Sequence, residues 1–276
     1  MGHSRRRIIG VVSGKGGVGK TVTTINLGLA LLELGNDVIV VDADLTASNL
    51  GIQMGFYPLH PFTLQSVLRN KVELQNAIYL HPSGLRLVPS GVAVDNLVKN
   101  HKIKNAIRGL NGLVLVDSPA GLDAESLAVM QACDDLIIVT NPEYPAVTDA
   151  VKVIKRAKEM DKNILGIVIN RHRGNKHELK PVEVEVMADT PVIGILREDP
   201  NIRKSIFYKT PIMHHKPNCK ISRDFRRLAH TVMGIEYREP GFFSKMFGKK
   251  KTRPLEIKNL MNHLDLQTAN SPGKTV

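Results

Sequence analysis

The chain's 276 residues are 42% hydrophobic and 23% charged, the balance of a soluble globular protein long enough for one well-buried core. Its formal net charge of +12 suits an anionic partner, whether nucleotide, nucleic acid or membrane surface, without choosing among them. No apolar run approaches the ~20 residues of a membrane span, no signal-peptide core follows the basic residues 1–7, and Cys133 and Cys219 lack the spacing of a disulfide framework or zinc site. The expected address is the cytoplasm.

Taken in order, Ile8-Ile9-Gly10-Val11-Val12 reads as a buried strand and residues 23–34 as a helix. Between them, Gly14-Lys15-Gly16-Gly17-Val18-Gly19-Lys20-Thr21 satisfies G-x-x-x-x-G-K-T in full. Strand, glycine loop and helix in this order are the setting of a phosphate loop. Its glycines let successive N–H groups curl toward phosphate oxygens, and the helix N-terminus adds partial positive charge. Lys20 would meet the β- and γ-phosphates, and the Thr21 hydroxyl would ligate Mg²⁺. Further apolar runs at 38–41, 85–88, 113–116, 136–139, 164–169 and 192–195 alternate with helical patterns such as 147–160. They are too apolar for half-exposed strands. The expected fold is therefore α/β: a doubly wound, mostly parallel sheet with helices on both faces and ligands beyond the strands' carboxyl ends.

Polar residues cluster at those ends. The second run leads into Asp42-Ala43-Asp44, and the fourth into Asp117-Ser118-Pro119-Ala120-Gly121. Apolar residues followed by Asp, downstream of a phosphate loop, form a Walker B pattern, in which Asp117 would hold Mg²⁺ through water. Asn170 ends another strand, and its amide offers the donor and acceptor that an adenine edge needs. The guanine-reading sequence Asn/Thr-Lys-x-Asp is missing, because Arg171-His172-Arg173 follows, which argues for ATP over GTP. Beyond Tyr237 the composition changes. Phe242, Phe243, Met246 and Phe247 share one helical face, with Lys245, Lys249, Lys250 and Lys251 beside them. Such a helix either packs its apolar face on the domain's own core with the lysines solvated or, as the resemblance given below implies, lies in the interface plane of an anionic membrane. After it, Ile257, Leu260, Met261 and Leu264 recur at helical spacing, and 268–276 reads as disordered. The expected division is 1–236, a P-loop ATPase domain; 237–253, a basic membrane-targeting segment; and 254–276, a tail.

One lysine suffices for phosphates within a subunit, yet the loop carries a second, Lys15. With Lys15-Gly16-Gly17-Val18-Gly19-Lys20-Thr21 fitting K-G-G-x-x-K-[ST], the chain resembles the deviant Walker A family that includes the MinD and ParA ATPases, over about residues 7–250. The basic aromatic stretch makes it most similar to the MinD branch. The resemblance implies an ATP-dependent homodimer in which Lys15 acts across the interface. It implies that Asp44 orients the attacking water, that Asp42 supports the Mg²⁺ site, and that Asn49 holds the switch. Gly121 would bring its N–H to the γ-phosphate, and Asp117, Pro119 and Gly121 match the family's D-x-P-x-G. Nucleotide contacts would run from Gly14 through Val22. Asn170 and Arg171 would lie at the base, with the Arg197 and Asp199 loop packed on its other side. ATP and Mg²⁺ are the implied cofactors. The implied partners are an activating protein, not identified by the sequence, and the inner face of the cell membrane, where the chain would help place the division site or another cell-surface structure. A DNA-partitioning ATPase is the main rival reading. Arg203, Lys204, Lys209, Lys216, Lys220, Arg223, Arg226 and Arg227 would then bind non-specific DNA. An iron–sulfur carrier would need paired cysteines, which Cys133 and Cys219 do not supply.

Overall fold

The computed structural model describes residues 6–45, 49–55, 62–91 and 101–238. Contacts separate Met1–Tyr237 from Arg238–Val276, and every element described below belongs to the first unit. In chain order the elements are β1 (Arg7–Val12), α1 (Lys20–Glu33), β2 (Val38–Asp42), α2 (Leu50–Gln53), α3 (Leu64–Leu68), a 3-10 turn (Leu74–Ala77), β3 (Tyr79–Leu80) and β4 (Arg86–Val88). They continue with α4 (His101–Arg108), β5 (Leu113–Asp117), α5 (Ala124–Ala132), β6 (Asp135–Thr140), α6 (Tyr144–Glu159), β7 (Asn163–His172), α7 (Pro181–Ala188), β8 (Val192–Arg197), α8 (Asn201–Phe207), α9 (Ile212–His215) and α10 (Lys220–Met233).

The strands form one sheet in the order β3-β4-β2-β5-β1-β6-β7-β8. All neighbours run parallel except β3 with β4. Side-chain alternation explains why β1, β2, β5 and β6 are apolar nearly throughout. Ile8 and Val12 enter a layer with Ile107 of α4, Val129 of α5 and Val153 of α6. Ile9 and Val11 point the other way, to Leu27 and Leu31 of α1 and Phe225 and Leu228 of α10. Both faces are covered, so neither set of residues can be polar. Each fully buried Leu, Ile or Phe contributes about 1.5–3 kcal/mol, which makes this double layer the main stabilising feature. The expected doubly wound, mostly parallel α/β sheet is the fold observed.

The strand order reverses about β1, which lies between β5 and β6. A crevice therefore opens beyond the carboxyl ends of these strands, where connections leave in opposite directions. The loop between β1 and α1 lies there, as do the last residues of β2 and β5.

Candidate nucleotide site

The phosphate loop is held from two sides. Gly14 packs so closely on the Asp149 carbonyl of α6 that a Cβ at this position would overlap it. Asn170 of β7 donates its amide to the Val18 carbonyl at 2.7 Å. Gly19 caps α1 with φ of 97°, a left-handed value, and a Cβ on it would strike the Asn170 amide. Only glycine meets both demands. By contrast, Cβ atoms built on Gly16 and Gly17 would meet nothing within 4 Å, so the outer wall of the loop faces open space. The loop thus offers a cradle whose floor is the N-terminus of a 14-residue helix. Thr21 and Val22 in its first turn are half-buried, and Lys15 is exposed.

Lys20 and the acids come together beneath this cradle. Lys20 is only 8% exposed; burial lowers its pKa, and the charges of Asp117 and Asp44 oppose that shift. Asp42 and Asp117 are register partners at the ends of β2 and β5, both buried. The Ala43 N–H donates to the Asp117 carbonyl at 2.9 Å, and the Asp44 N–H to Asp42 Oδ1 at 3.2 Å. Burial pushes the Asp117 carboxyl up to about 6, against a hydrogen bond from Thr21, the nearby Lys20 charge and a 3.3 Å hydrogen bond from Thr24 Oγ1. One hydroxyl and one buried carboxylate beside an open, N–H-lined cradle fit a hard divalent cation that keeps water and phosphate oxygens as its other ligands. Consistent with that, no group of three or more His, Cys, Asp or Glu among the described residues would hold a metal by itself.

The segment after β5 is stitched onto the end of β1. Ser118 Oγ donates to the Val11 carbonyl at 2.9 Å. Gly121, with φ of 90°, donates its N–H to the Ser13 carbonyl at 2.9 Å. A phosphate reaching Gly121 would have to exchange that bond. Asn49 is exposed and stands at the start of α2, while residues 46–48 lie outside the described residues.

On the base side, Asn170 adjoins the loop, with its amide N–H engaged by Val18, and Arg171 is exposed with φ of 57°. Arg197 forms a bidentate pair with the buried Asp224 of α10 at 2.6 and 2.7 Å. Asp199 accepts from the Asn201 N–H at 2.8 Å in the turn that leads into α8. The basic segment is likewise partly paired: Arg226 binds Glu33 at 2.6 Å, and Arg227 lies 5.5 Å over the Tyr237 ring. The membrane-segment residues, Phe242, Phe243, Lys245, Met246, Phe247 and Lys249 to Lys251, lie outside the described residues. Among the described residues no helix is long and apolar enough to cross a membrane.

Sequence reasoning missed Glu125. Its Oε1 accepts the Leu45 N–H at 2.8 Å, tying the segment after Asp44 to the first turn of α5. Burial raises its pKa, and the charges of Asp44 and Asp123 add to that shift. A glutamate two residues past a helix-capping Asp123 carries no sequence signal for such a bond. Thr24 was missed as well, since its spacing from Lys20 is that of any helix face.

Comparison with known proteins agrees with this geometry. The ParA family model, described as NUBPL iron-transfer P-loop NTPase, matches residues 4–233. An ATP-binding protein of Methanocaldococcus jannaschii is 34% identical over 257 residues, 88% of this chain and 97% of its own. The septum site-determining protein MinD of Thermotoga maritima is 31% identical over 240 residues, 82% of this chain and 88% of its own. The structure of MinD from Pyrococcus horikoshii, complexed with Mg-ADP, superposes with a TM-score of 0.78 at 34% identity, over 82% of this chain and 95% of that one. The iron-transfer description finds no cysteine pair here: Cys133 is buried in the core with its thiol pushed up to about 12, and Cys219 stands at the N-terminus of α10. On its fold, its phosphate loop and these relatives, the chain belongs to the ParA family of P-loop NTPases, among its MinD-like ATPases.

Proposed function

We propose that the chain hydrolyses ATP with Mg²⁺, pairs face to face with a second copy when ATP is bound, and in that state holds an anionic membrane surface through 242–251. Lys20 and the first N–H groups of α1 bind and orient the phosphates. Thr21 and Asp117 would hold Mg²⁺, Asp117 through water, and the bound ion would supply charge neutralisation at the phosphates. Asp44 accepts a hydrogen bond from water and holds it in line, and Asp42 fixes Asp44 through the Asp44 N–H. Phosphoryl transfer depends mainly on positioning and charge, so these roles suffice.

The observation that carries the reading is the contrast between two lysines of one loop. Lys20 is buried beside Asp117, whereas Lys15 is exposed. A cation left at the surface of a phosphate loop suits the triphosphate of a facing copy. The likeness to MinD proteins supports a role in placing the division site or another cell-surface structure, together with an activating protein.

Lys15→Ala tests this directly. Light scattering with ATP should give a dimer for the parent and a monomer for the variant, while ATP affinity changes by less than about threefold and turnover falls at least about a hundredfold. A variant that still pairs and turns over like the parent would leave a one-subunit pocket and end the proposal.

A further inference from the structure

At the far edge of the sheet, a cleft of about 1600 Å³ runs along β8, between α7 on one side and α8 and α10 on the other. Its floor is a strand with no partner on its outer side among the described residues. The two ends of that edge are closed by carboxylates. Glu185 accepts the Val192 N–H at 2.7 Å, and Asp224 accepts the Arg197 N–H at 3.3 Å. Between them residues 193–196 form a short open edge. An unpaired edge normally attracts other strands unless it is blocked or has a use.

The walls are not neutral. Arg203 of α8 and Lys220 and Arg223 of α10 line the cleft, and none has an ion-pair partner among the described residues. The acids that line it are already engaged. Asp224 pairs with Arg197, Glu198 with Arg173, and Asp199 accepts the Asn201 N–H. The opposite face of the strand is apolar. Ile195 pairs in register with Ile169, so it shares the face covered by α6 and α7, yet it is 40% exposed. Gly194 turns the other way, where a Cβ would lie 2.8 Å from Leu228 of α10.

We infer that β8 is a docking edge for an extended acidic peptide of another protein, added as a further strand with acidic residues toward α8 and α10 and apolar residues toward Ile195. Strand addition supplies affinity through main-chain bonds, and alternate side chains supply specificity. The occupant is not a second copy of this chain, because a protein of net charge +12 is a poor complement to unpaired arginine and lysine. Nucleic acid would use the cations and leave the strand edge unused. No residue of the phosphate loop lines the cleft, but Arg197 and Asp199 of the loop expected beside the base do, so the test is run with ADP bound.

The test uses the full chain with ADP and a fluorescein-labelled eight-residue peptide of alternating Glu and Val, read by polarisation at 150 mM salt. Two further peptides carry N-methyl groups on the odd or the even residues. In a strand, alternate N–H groups face opposite edges, so only one of the two methylated peptides should lose binding, by at least about tenfold. Lys220→Glu and Arg223→Gln should each weaken the parent peptide at least about tenfold. Lys204→Glu, on α8 but outside the cleft, should not; glutamate is well tolerated in the first helical turn where Lys220 lies, and thermal midpoints check that all three fold. Equal behaviour of both methylated peptides, equal loss with Lys204→Glu, or tighter binding of random duplex DNA that displaces the peptide would each overturn the inference.

Discussion

Asp117 is buried beneath a phosphate cradle and held by two threonine hydroxyls and a lysine, yet its carboxyl remains raised to about 6. Desolvation therefore outweighs its partners. The ionised form is held at a cost of about 3 kcal/mol. The sign follows from linkage. A carboxyl whose folded pKa is raised contributes stability that is full below its unfolded pKa of about 3.8 and is lost as pH rises through about 6. Asp117→Asn should therefore stabilise the nucleotide-free chain at pH 7.5, by up to about 3 kcal/mol, and the gap should close steadily toward pH 4.5. Urea titrations across that range measure it. Mg²⁺ with ADP should reverse the order at pH 7.5, because only the parent offers the metal a charged ligand. A gap that ignores pH would mean that burial of the charge is not what strains this residue.

Two connecting segments flank the cradle, and the structure ties them together. The chain after β2 is bonded to β5 through the Ala43 N–H and to α5 through Leu45 and Glu125. Since α5 begins just past Gly121, whose own N–H is bonded to Ser13, Glu125 links the segment after Asp44 to the helix that follows Gly121. Removing the acceptor leaves the Leu45 N–H without its charged partner, a loss of about 1.5–3 kcal/mol. Glu125→Ala should accordingly speed exchange of the Leu45 amide by roughly ten- to a hundredfold and lower kcat while leaving KM within about twofold, since the loop that binds phosphate is untouched. Glu125→Gln keeps the acceptor and should restore most of both. A drop confined to KM would show that Glu125 serves binding instead. Such a bond leaves no trace in the sequence, whereas the strands β2 and β5 beside it were legible. Every long apolar run became a strand, and for β1, β2, β5 and β6 burial on both faces demands that unbroken hydrophobicity, whereas the equally apolar run of β8 lies half-exposed at the sheet edge. The helix after the loop begins at Lys20, three residues before its apolar period starts, because Gly19 rather than a hydrophobic residue sets its first turn. The strand β3 has only two residues, too few to show a period. Strand order, the Gly121 bond and the pull of Asp224 on Arg197 join residues far apart in the chain, and no local pattern encodes them.

Across the whole molecule, the charge excess and the aromatic residues are distributed unevenly. The chain has seven phenylalanines and a net charge of +12, and residues 242–251, outside the described residues, hold three of those phenylalanines with four lysines. Each Phe contributes about 1.5–3 kcal/mol at full burial, and each basic residue about 1 kcal/mol at an anionic leaflet. Partial insertion and the cost of ordering a helix reduce that sum to marginal binding for one copy. Two copies joined in one particle gain about a hundred- to ten-thousandfold in avidity without any new contact. Under the proposed function, nucleotide would thus control membrane attachment by controlling pairing. Pelleting with vesicles containing anionic lipid should recover the parent with ATP and leave most of it in solution with ADP. Phe243→Glu should abolish recovery while ATP-dependent pairing persists, and raising the salt to 500 mM should weaken it as the lysine contribution is screened. Equal recovery with ADP and ATP would separate membrane attachment from pairing and leave the segment as a constitutive anchor.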